Sequence, residues 1–256
     1  MNLDLDGRVA LLTGAARGIG FAEAEALAAE GCRIVVSDRD AEAAAEAAAR
    51  LAEAGHPAWS LGCDVTDEAA VAAMLEAVAA REGRLDILVN NAGVAGTLVG
   101  HAVEAMSLDH WDRMVRIHMH GTFLCTRAAI PLMRAAGFGR IVNTSSMNVA
   151  GGGRPGNANY TAAKAGIAGF TRVVAKEVGR AGLTCNCVAP GYVETDLIKT
   201  FSADMRERIT AQNPIGRFCK PEEVAALVAF LCSRQAAFIN GAMINLDGGR
   251  REFVWD

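Results

Sequence analysis

The stretch that decides the fold is RVALLTGAARGIG, residues 8–20. Its apolar start is typical of a buried strand, and the glycines after it precede a run of helix formers. Gly14 permits a tight turn, Gly18 lets the backbone approach a pyrophosphate, and Gly20 lets a helix pack against the strand. The free N–H groups and positive dipole at the start of that helix favour phosphate binding. The stretch therefore predicts a strand–turn–helix unit that holds a dinucleotide.

Strand and helix patterns alternate from this unit onward. The predicted strands are Arg8–Thr13, Arg33–Ser37, Ala58–Cys63, Ile87–Val89, Arg140–Thr144, Leu183–Val188 and Met243–Leu246. The predicted helices are Phe21–Ala29, Ala41–Ala54, Glu68–Arg81, a long stretch around Leu108–Ala136, Ala158–Val178 and Pro221–Leu231. Such alternation predicts parallel pairing with right-handed crossovers, and strands that are apolar throughout indicate helices on both faces. We expect an α/β fold: a single doubly wound Rossmann-type domain over residues 1–256, with a seven-stranded parallel sheet.

The composition narrows the class of protein. The 256 residues carry a formal net charge of -4. This mild acidity argues against a nucleic-acid partner, because a basic surface is needed to neutralise phosphates. No segment has the pattern of a signal peptide, and no apolar run reaches the roughly 18 residues of a membrane span. The seven cysteines include no CxxC pair, so we expect reduced thiols and no metal site. We predict a cytoplasmic protein with a small-molecule partner and neither a nucleic-acid nor a membrane partner.

The second predicted strand is followed by a carboxylate, Asp38, 18 positions after Gly20. At that spacing an acidic residue accepts hydrogen bonds from the adenosine ribose hydroxyls. It repels a 2′-phosphate by about 1 to 4 kcal/mol per unit charge at about 4 Å, which favours NAD over NADP. The alternative role for Asp38 is a helix cap. Arg17 and Arg39 act in the opposite direction because each can reach a 2′-phosphate, so use of NADP stays open.

Taken together, the motifs of this chain resemble those of the short-chain dehydrogenase/reductase family. The resemblance covers about residues 5 to 250 and comprises the turn T-G-x-x-x-G-x-G, Asp64-Val65, Asn90-Asn91-Ala92-Gly93, Tyr160-Thr-Ala-Ala-Lys164, Pro190-Gly191-Tyr192-Val193-Glu194-Thr195 and Leu246-Asp247-Gly248-Gly249. These motifs stand in the order that the family has. The resemblance therefore implies a nicotinamide-dependent oxidoreductase, and by family habit a homotetramer.

The resemblance also implies which residues contact the cofactor. Asp64-Val65 contacts adenine, the Asn90–Gly93 segment stabilises the sheet and lines the cofactor, and the Pro190–Thr195 loop holds the nicotinamide carboxamide. The complete implied set is Gly14, Arg17, Gly18, Ile19, Gly20, Asp38, Arg39, Asp64, Val65, Asn91, Ala92, Gly93, Tyr160, Lys164, Pro190, Gly191, Val193 and Thr195.

Tyr160 and Lys164 have the spacing of a helical pair. Residues at i and i+4 share one face of a helix, one turn apart. A free tyrosine has a pKa near 10, and a nearby lysine cation is expected to lower that pKa and make the phenol an acid/base catalyst. Lys164 is also expected to bind the nicotinamide ribose. The alternative interpretation is a surface pair of an aromatic residue and a lysine.

A serine after the fifth predicted strand is expected to hold the substrate oxygen. By resemblance it is the second serine, Ser146, which precedes Tyr160 by 14 positions. This spacing is one residue longer than is common in the family, so Ser145 remains a minor alternative. The catalytic set predicted is Ser146, Tyr160 and Lys164.

The chain departs from the family at His118. The family pattern W-D-x-x-x-x-x-N starts here at Trp111, and His118 stands where asparagine is expected. In the family that residue helps to hold a water that passes protons to the lysine. We expect a retained relay with an altered pH dependence, because histidine can become charged. The alternatives are a packing histidine and a weakened catalyst.

The segment of about residues 192–215 is expected, by resemblance, to form the substrate lid. It is short, which favours a secondary alcohol, a polyol or sugar, or a hydroxyacyl thioester. The aromatic residues Phe253 and Trp255 near the C-terminus are expected to contact a neighbouring subunit or to close their own pocket. Three alternatives stay open: a 3-oxoacyl thioester reductase, with NADPH as a possible cofactor; a dinucleotide-binding protein with a damaged active site; and a structural or scaffold protein that reuses the fold.

Overall fold

The strands form one parallel sheet in the computed structural model, which describes residues 2–151 and 153–250. They are β1 Val9–Thr13, β2 Arg33–Asp38, β3 Ala58–Gly62, β4 Ile87–Asn90, β5 Gly139–Thr144, β6 Leu183–Pro190 and β7 Met243–Leu246. The α-helices of the described residues are α1 Gly18–Ala29, α2 Ala41–Glu53, α3 Glu68–Glu82, α4 Leu108–Val115, α5 Gly121–Ala136, α6 Asn148–Gly151, α7 Ala158–Val178, α8 Asp196–Lys199, α9 Ala203–Ala211 and α10 Pro221–Cys232.

The order of the strands places a crevice at the middle of the sheet. It is β3-β2-β1-β4-β5-β6-β7, and every pairing is parallel. β1 pairs with β2 on one side and with β4 on the other, so Thr13 lies beside both Ser37 and Asn90. Strands β2 and β3 are added on one side of β1, and β4 to β7 are added on the other, so the order reverses between β1 and β4. Open α/β sheets bind ligands at such a reversal, beyond the carboxyl ends of the strands.

Two apolar cores lie on the two faces of this sheet because side chains alternate along each strand. Leu12 and Val89 face α1, α2 and α10. Leu11 and Leu88 face α3, α5 and α7. All four are fully buried, as a three-layer structure requires. The predicted fold class, a doubly wound domain with a seven-stranded parallel sheet, is confirmed.

Local signals explain most of the element ends. Asp40 accepts a hydrogen bond from Ala43 N at 3.1 Å and begins α2, while Gly83 ends α3 in the left-handed conformation at φ 71°. The long helix predicted over 108–136 is interrupted, because α4 and α5 are separated by a π-helical segment, Arg116–His120. A π segment inserts an extra residue per turn and is frequent at functional sites.

Three further observations concern membrane spans, metal ligands and cysteines within the described residues. No helix among them is long and apolar enough to cross a membrane. No group of three or more histidine, cysteine or acidic side chains in the described part is placed to hold a metal ion. All seven cysteines are unpaired, and six of them are buried. The two C-terminal aromatic residues, Phe253 and Trp255, lie outside the described residues.

Candidate active site

A cavity of about 580 Å³ opens at the carboxyl ends of β1 and β4, and we call it the cofactor cleft. Thirteen of the eighteen predicted cofactor contacts line it: Gly14, Arg17, Ile19, Asp38, Arg39, Asp64, Val65, Asn91, Ala92, Gly93, Tyr160, Lys164 and Thr195. Gly18, Gly20 and Pro190 are not among its lining residues, and Gly191 and Val193 line a neighbouring cavity instead. The sequence motifs therefore come together in space.

Glycine is required where the two loops of the cleft meet. Gly14 has φ +61°, and a Cβ on it would lie 2.7 Å from Ala92 Cα. A Cβ on Gly20 would lie 2.5 Å from Asn91 Nδ2, the atom that donates to Gly14 O at 2.8 Å. The backbones thus approach as closely as a dinucleotide-binding turn needs, so the cleft fits the pyrophosphate of such a cofactor.

Backbone N–H groups hold the Asp38 carboxylate at the end of β2. It accepts from Ala16 N at 3.4 Å and from Asp40 N at 3.2 Å. The alternative that Asp38 caps a helix is wrong, because Asp40 caps α2. Arg17 lies 3.9 Å from Asp40, an exposed ion pair. A carboxylate fixed in this way at the wall of the cleft can accept hydrogen bonds from ribose hydroxyls.

Lys164 and the two serines are fixed at the end of β5. Lys164 Nζ donates to Thr144 O at 2.7 Å and lies 5.7 Å from the centroid of the Tyr160 ring. Ser145 Oγ donates to Lys164 O at 3.0 Å, which ties α7 to the sheet. Ser146 Oγ accepts from a backbone N–H at 3.3 Å, and Ser146 lines a second cavity together with Tyr160. The geometry thus favours Ser146 over Ser145 as the residue that faces a substrate.

Burial dominates the ionisation of the tyrosine and the lysine in the protein alone. Burial lowers the pKa of Lys164 to about 7, against the opposing charges of Cys187 and Glu23. Burial raises the pKa of Tyr160, and its hydrogen bond with Ser146 opposes the rise. The expectation that Lys164 lowers the pKa of Tyr160 is therefore not met in the protein alone, since desolvation of the phenol outweighs its neighbours.

The histidine at the asparagine position lies inside the π segment and is 2 % exposed. Its Nε2 lies 2.8 Å from Val94 O and 3.2 Å from Val94 N. The shorter contact favours a proton on Nε2, which leaves Nδ1 as an acceptor that is buried without a partner in the described residues. The ring of His118 is edge-on to that of Tyr160, with centroids 5.5 Å apart.

His118 does not gain charge in the neutral range. Burial lowers its pKa to about 3, and the Lys164 charge lowers it further, against a hydrogen bond to Val94. The altered pH dependence expected from a charged His118 is therefore corrected: the ring is neutral at neutral pH. A Cβ on Gly93 would lie 2.5 Å from His118 Cε1, so the glycine makes room for the larger ring.

Sequence reasoning missed Glu23 on α1. Its side chain is fully buried, and both carboxylate oxygens lack a hydrogen-bond partner among the described residues. Burial raises the pKa of Glu23 to about 8, while the Lys164 charge opposes the rise. The carboxyl group is therefore largely protonated at neutral pH. An acidic residue in an otherwise apolar helix face, FAEAEAL, was the available signal.

A second cavity, of about 400 Å³, adjoins the cofactor cleft, and we call it the substrate cavity. Ile19, Ala95, Tyr160 and Thr195 line both spaces, so the phenol stands at their boundary. The other walls come from the loop between β5 and α7 and from the segment after β6. A volume of this size suits a small or medium organic molecule.

The segment expected to form the lid contains α8, α9 and their connections. Ile198 and Phe201 line the substrate cavity from this side. Ile198 also packs in a small apolar cluster with Ile209 and Phe218, separate from the two main cores. This local packing places the segment over the cavity.

Comparisons with known proteins agree with this geometry. The family model described as enoyl-(acyl carrier protein) reductase matches residues 14–251. The cis-4-hydroxycyclohexanecarboxylate dehydrogenase of Sinomonas cyclohexanicum is 44% identical over 94% of this chain and 96% of that protein. The 3-oxoacyl-[acyl-carrier-protein] reductase of Synechocystis sp. is 41% identical over 96% and 97%. Among solved structures, gox2181 has a TM-score of 0.92 and 37% identity, with 97% of each chain covered.

Proposed function

This chain belongs to the short-chain dehydrogenase/reductase family, and we propose that it transfers a hydride between a secondary alcohol, or its ketone, and NAD(H). One observation carries the proposal: Tyr160 stands at the boundary between the cofactor cleft and the substrate cavity, which Ser146 also lines. The relative from Sinomonas is named for the dehydrogenation of a hydroxy compound, which supports the alcohol as substrate.

The residues divide the proton chemistry between them. In the oxidation, the Tyr160 phenolate takes the proton of the substrate hydroxyl, and the Ser146 hydroxyl holds the same oxygen. Lys164 is anchored at Thr144 O by its ammonium group and from there binds the nicotinamide ribose and stabilises the phenolate. A bound NAD supplies the hydride acceptor and a positive ring charge. In the reduction, Tyr160 returns its proton to the alkoxide.

The choice of NAD rests on Asp38. Its carboxylate is fixed by two backbone N–H groups at the wall of the cleft, and a 2′-phosphate placed there would meet a like charge. Arg17 and Arg39 also line the cleft, and Arg17 is engaged with Asp40. We therefore propose NAD as the main cofactor and NADP as a weaker one.

A second candidate function is reduction of a 3-oxoacyl thioester with NADPH. The 41% identity to a 3-oxoacyl-[acyl-carrier-protein] reductase favours it, as do the two arginines in the cleft. Asp38 opposes it because such a reductase needs a site for the 2′-phosphate.

We extend the proposal to a cytoplasmic homotetramer. Phe123 on α5 and Val173 on α7 are 44% and 54% exposed, and such apolar positions suit a subunit interface. The unpaired cysteines suit a reducing compartment. Light scattering coupled to size exclusion measures the assembly, and a monomer would contradict the tetramer.

The test of the proposed function is a screen of secondary alcohols, polyols and hydroxy acids with NAD, with NADP in parallel, followed by absorbance of the reduced cofactor. We expect turnover of at least one secondary alcohol, with NAD preferred. Turnover of 3-oxoacyl thioesters with NADPH alone would favour the second candidate. Absence of turnover together with tight NADH binding would instead identify a dinucleotide-binding protein.

A further inference from the structure

The substrate cavity has a charged wall. Among the described residues that line it, Arg154 is the single charged side chain, and the others are apolar or neutral polar groups. Arg154 lies between Ser146 and Tyr160 in the chain, in the loop between α6 and α7. Arg154 therefore lies on the stretch of chain between the two reacting residues and adds a cation to the wall of the substrate cavity.

The charge of Arg154 affects a second residue of the cavity wall, Tyr192. Tyr192 also lines the substrate cavity. Burial raises the pKa of Tyr192, and the positive charge of Arg154 opposes the rise. Arg154 and Tyr192 thus share the wall of one cavity, and the charge of the first is felt by the second. A guanidinium is the side chain best suited to a carboxylate, because it can donate two parallel N–H hydrogen bonds to it.

A polar atom without a partner lies on the same turn. Asn157 N donates to Arg154 O at 3.2 Å, and Asn157 lines the substrate cavity. Its Oδ1 is buried and has no hydrogen-bond partner among the described residues. An amide oxygen can only accept, so this one is open to a donor other than the described residues. A substrate hydroxyl is such a donor.

We propose that Arg154 and Asn157 form a recognition site for the carboxylate and a second hydroxyl of a hydroxy acid, whose reacting hydroxyl lies between Ser146 and Tyr160. This rests on the proposed function. The carbinol C–H bond breaks and its two electrons leave as a hydride to NAD, while the O–H proton goes to Tyr160. The products are the keto acid and NADH, and the carboxylate is unchanged.

The test compares each acid with its uncharged amide. We use 3-hydroxybutyrate and 3-hydroxycyclohexanecarboxylate beside their primary amides, with cyclohexanol as a neutral alcohol. Wild type is expected to prefer the acids by about 10- to 100-fold in kcat/KM, mainly through KM, as charge-assisted pairing predicts. Arg154→Met removes that preference and leaves the rate with cyclohexanol within about threefold. Arg154→Lys restores part of it.

The second residue and the controls have their own comparisons. Asn157→Leu is expected to lower kcat/KM for 3,4-dihydroxycyclohexanecarboxylate about 10-fold and to leave the monohydroxy acid within about threefold. The exposed Arg180 gives the matched control, Arg180→Met, which keeps the wild-type preference. Circular dichroism and NADH titration of each variant establish that the fold and the cofactor cleft are retained.

The outcomes separate the two proposals. Turnover of cyclohexanol by wild type without any preference for the acids overturns the recognition site and leaves the dehydrogenase standing. An acid preference that Arg154→Met does not reduce also overturns it. If wild type oxidises no alcohol, the proposed dehydrogenase function is wrong. The recognition site is then tested by calorimetric titration of the hydroxy acids into the wild-type and Arg154→Met proteins with NADH. Equal heats for the two proteins, or no heat for either, overturn it.

Discussion

The cofactor cleft and the substrate cavity meet at Tyr160 but are built differently. The cleft lies at strand ends, where Gly14 and Gly20 pack against the loop after β4 with no room for a side chain. The substrate cavity is walled by connections, the loop around Arg154 and the segment around Phe201. The backbone determines the shape of the cofactor cleft, and side chains determine that of the substrate cavity. The cofactor can therefore be predicted from a motif, whereas the substrate depends on individual residues.

The largest effect is expected at Tyr160, which lines both cavities. Tyr160→Phe is expected to lower kcat about 1000-fold, because the proton transfer loses its acid/base group. NADH binding is expected to stay within about threefold, since the cleft keeps its glycine turn and Asp38. Steady-state rates and fluorescence titration of NADH measure the two effects. Loss of NADH binding together with kcat would make the phenol structural rather than catalytic.

Helix α1, which follows the glycine turn of the cleft, carries a buried carboxyl group, Glu23. Because its pKa is about 8 in the folded chain and near 4.5 in the unfolded chain, the folded state holds its proton more tightly. The stabilisation is complete below pH 4.5 and is lost as pH rises towards and through 8. Between pH 5 and 7, wild type should lose about 3 kcal/mol relative to Glu23→Gln.

Urea unfolding of wild type and Glu23→Gln at several pH values measures this difference. The exposed Glu25 supplies the matched control, because Glu25→Gln should unfold with the pH dependence of wild type. A constant difference between wild type and Glu23→Gln across that range would show that Glu23 is solvated or paired.

Within the cofactor cleft, Asp38 is expected to determine the preference for NAD over NADP. Asp38→Ala removes the charge that opposes a 2′-phosphate, and the ratio of kcat/KM with NADP to that with NAD should rise about 10- to 100-fold. Glu46→Gln, a change of an exposed acidic residue on α2, should leave the ratio within about threefold. Initial rates with the two cofactors give both ratios, and an unchanged ratio in Asp38→Ala would assign the selectivity to another residue.

The smallest effect is expected at His118, beside the boundary of the two cavities. His118→Asn should change kcat less than about fivefold and should leave the shape of the rate profile from pH 5 to 10 unchanged, because the ring is already neutral there. Rates across that range measure it. Disappearance of a titration between pH 5 and 7 in the variant would show that His118 carries charge in the working enzyme.

The sequence predicts the sheet and the cleft well because both depend on repeating patterns. Apolar runs such as the one that ends at Thr13 are typical of strands covered on both faces, and glycine is required where two backbones approach closely. Asp38 was found because its spacing from Gly20 is fixed by the unit that joins them.

The remaining features depend on contacts between segments far apart in the chain. The π segment around His118 leaves no pattern that distinguishes it from an ordinary helix. Glu23 is one of many acidic residues in the sequence, and its burial is known only from the packing. Arg154 lines the substrate cavity because its loop and the segment after β6 form walls of the same space. The pKa of Tyr160 was predicted in the wrong direction because the sequence shows the lysine but not the burial.

Direct hydride transfer from the alcohol to the nicotinamide can be followed with a deuterium label. The alcohol that is oxidised fastest in the screen is prepared with deuterium at the carbinol carbon, and the NADH formed is analysed by mass spectrometry and NMR. Direct hydride transfer at the junction of the two cavities predicts that the deuterium is found at C4 of the nicotinamide, on one face only. NADH without deuterium, or with the label on both faces, would contradict it.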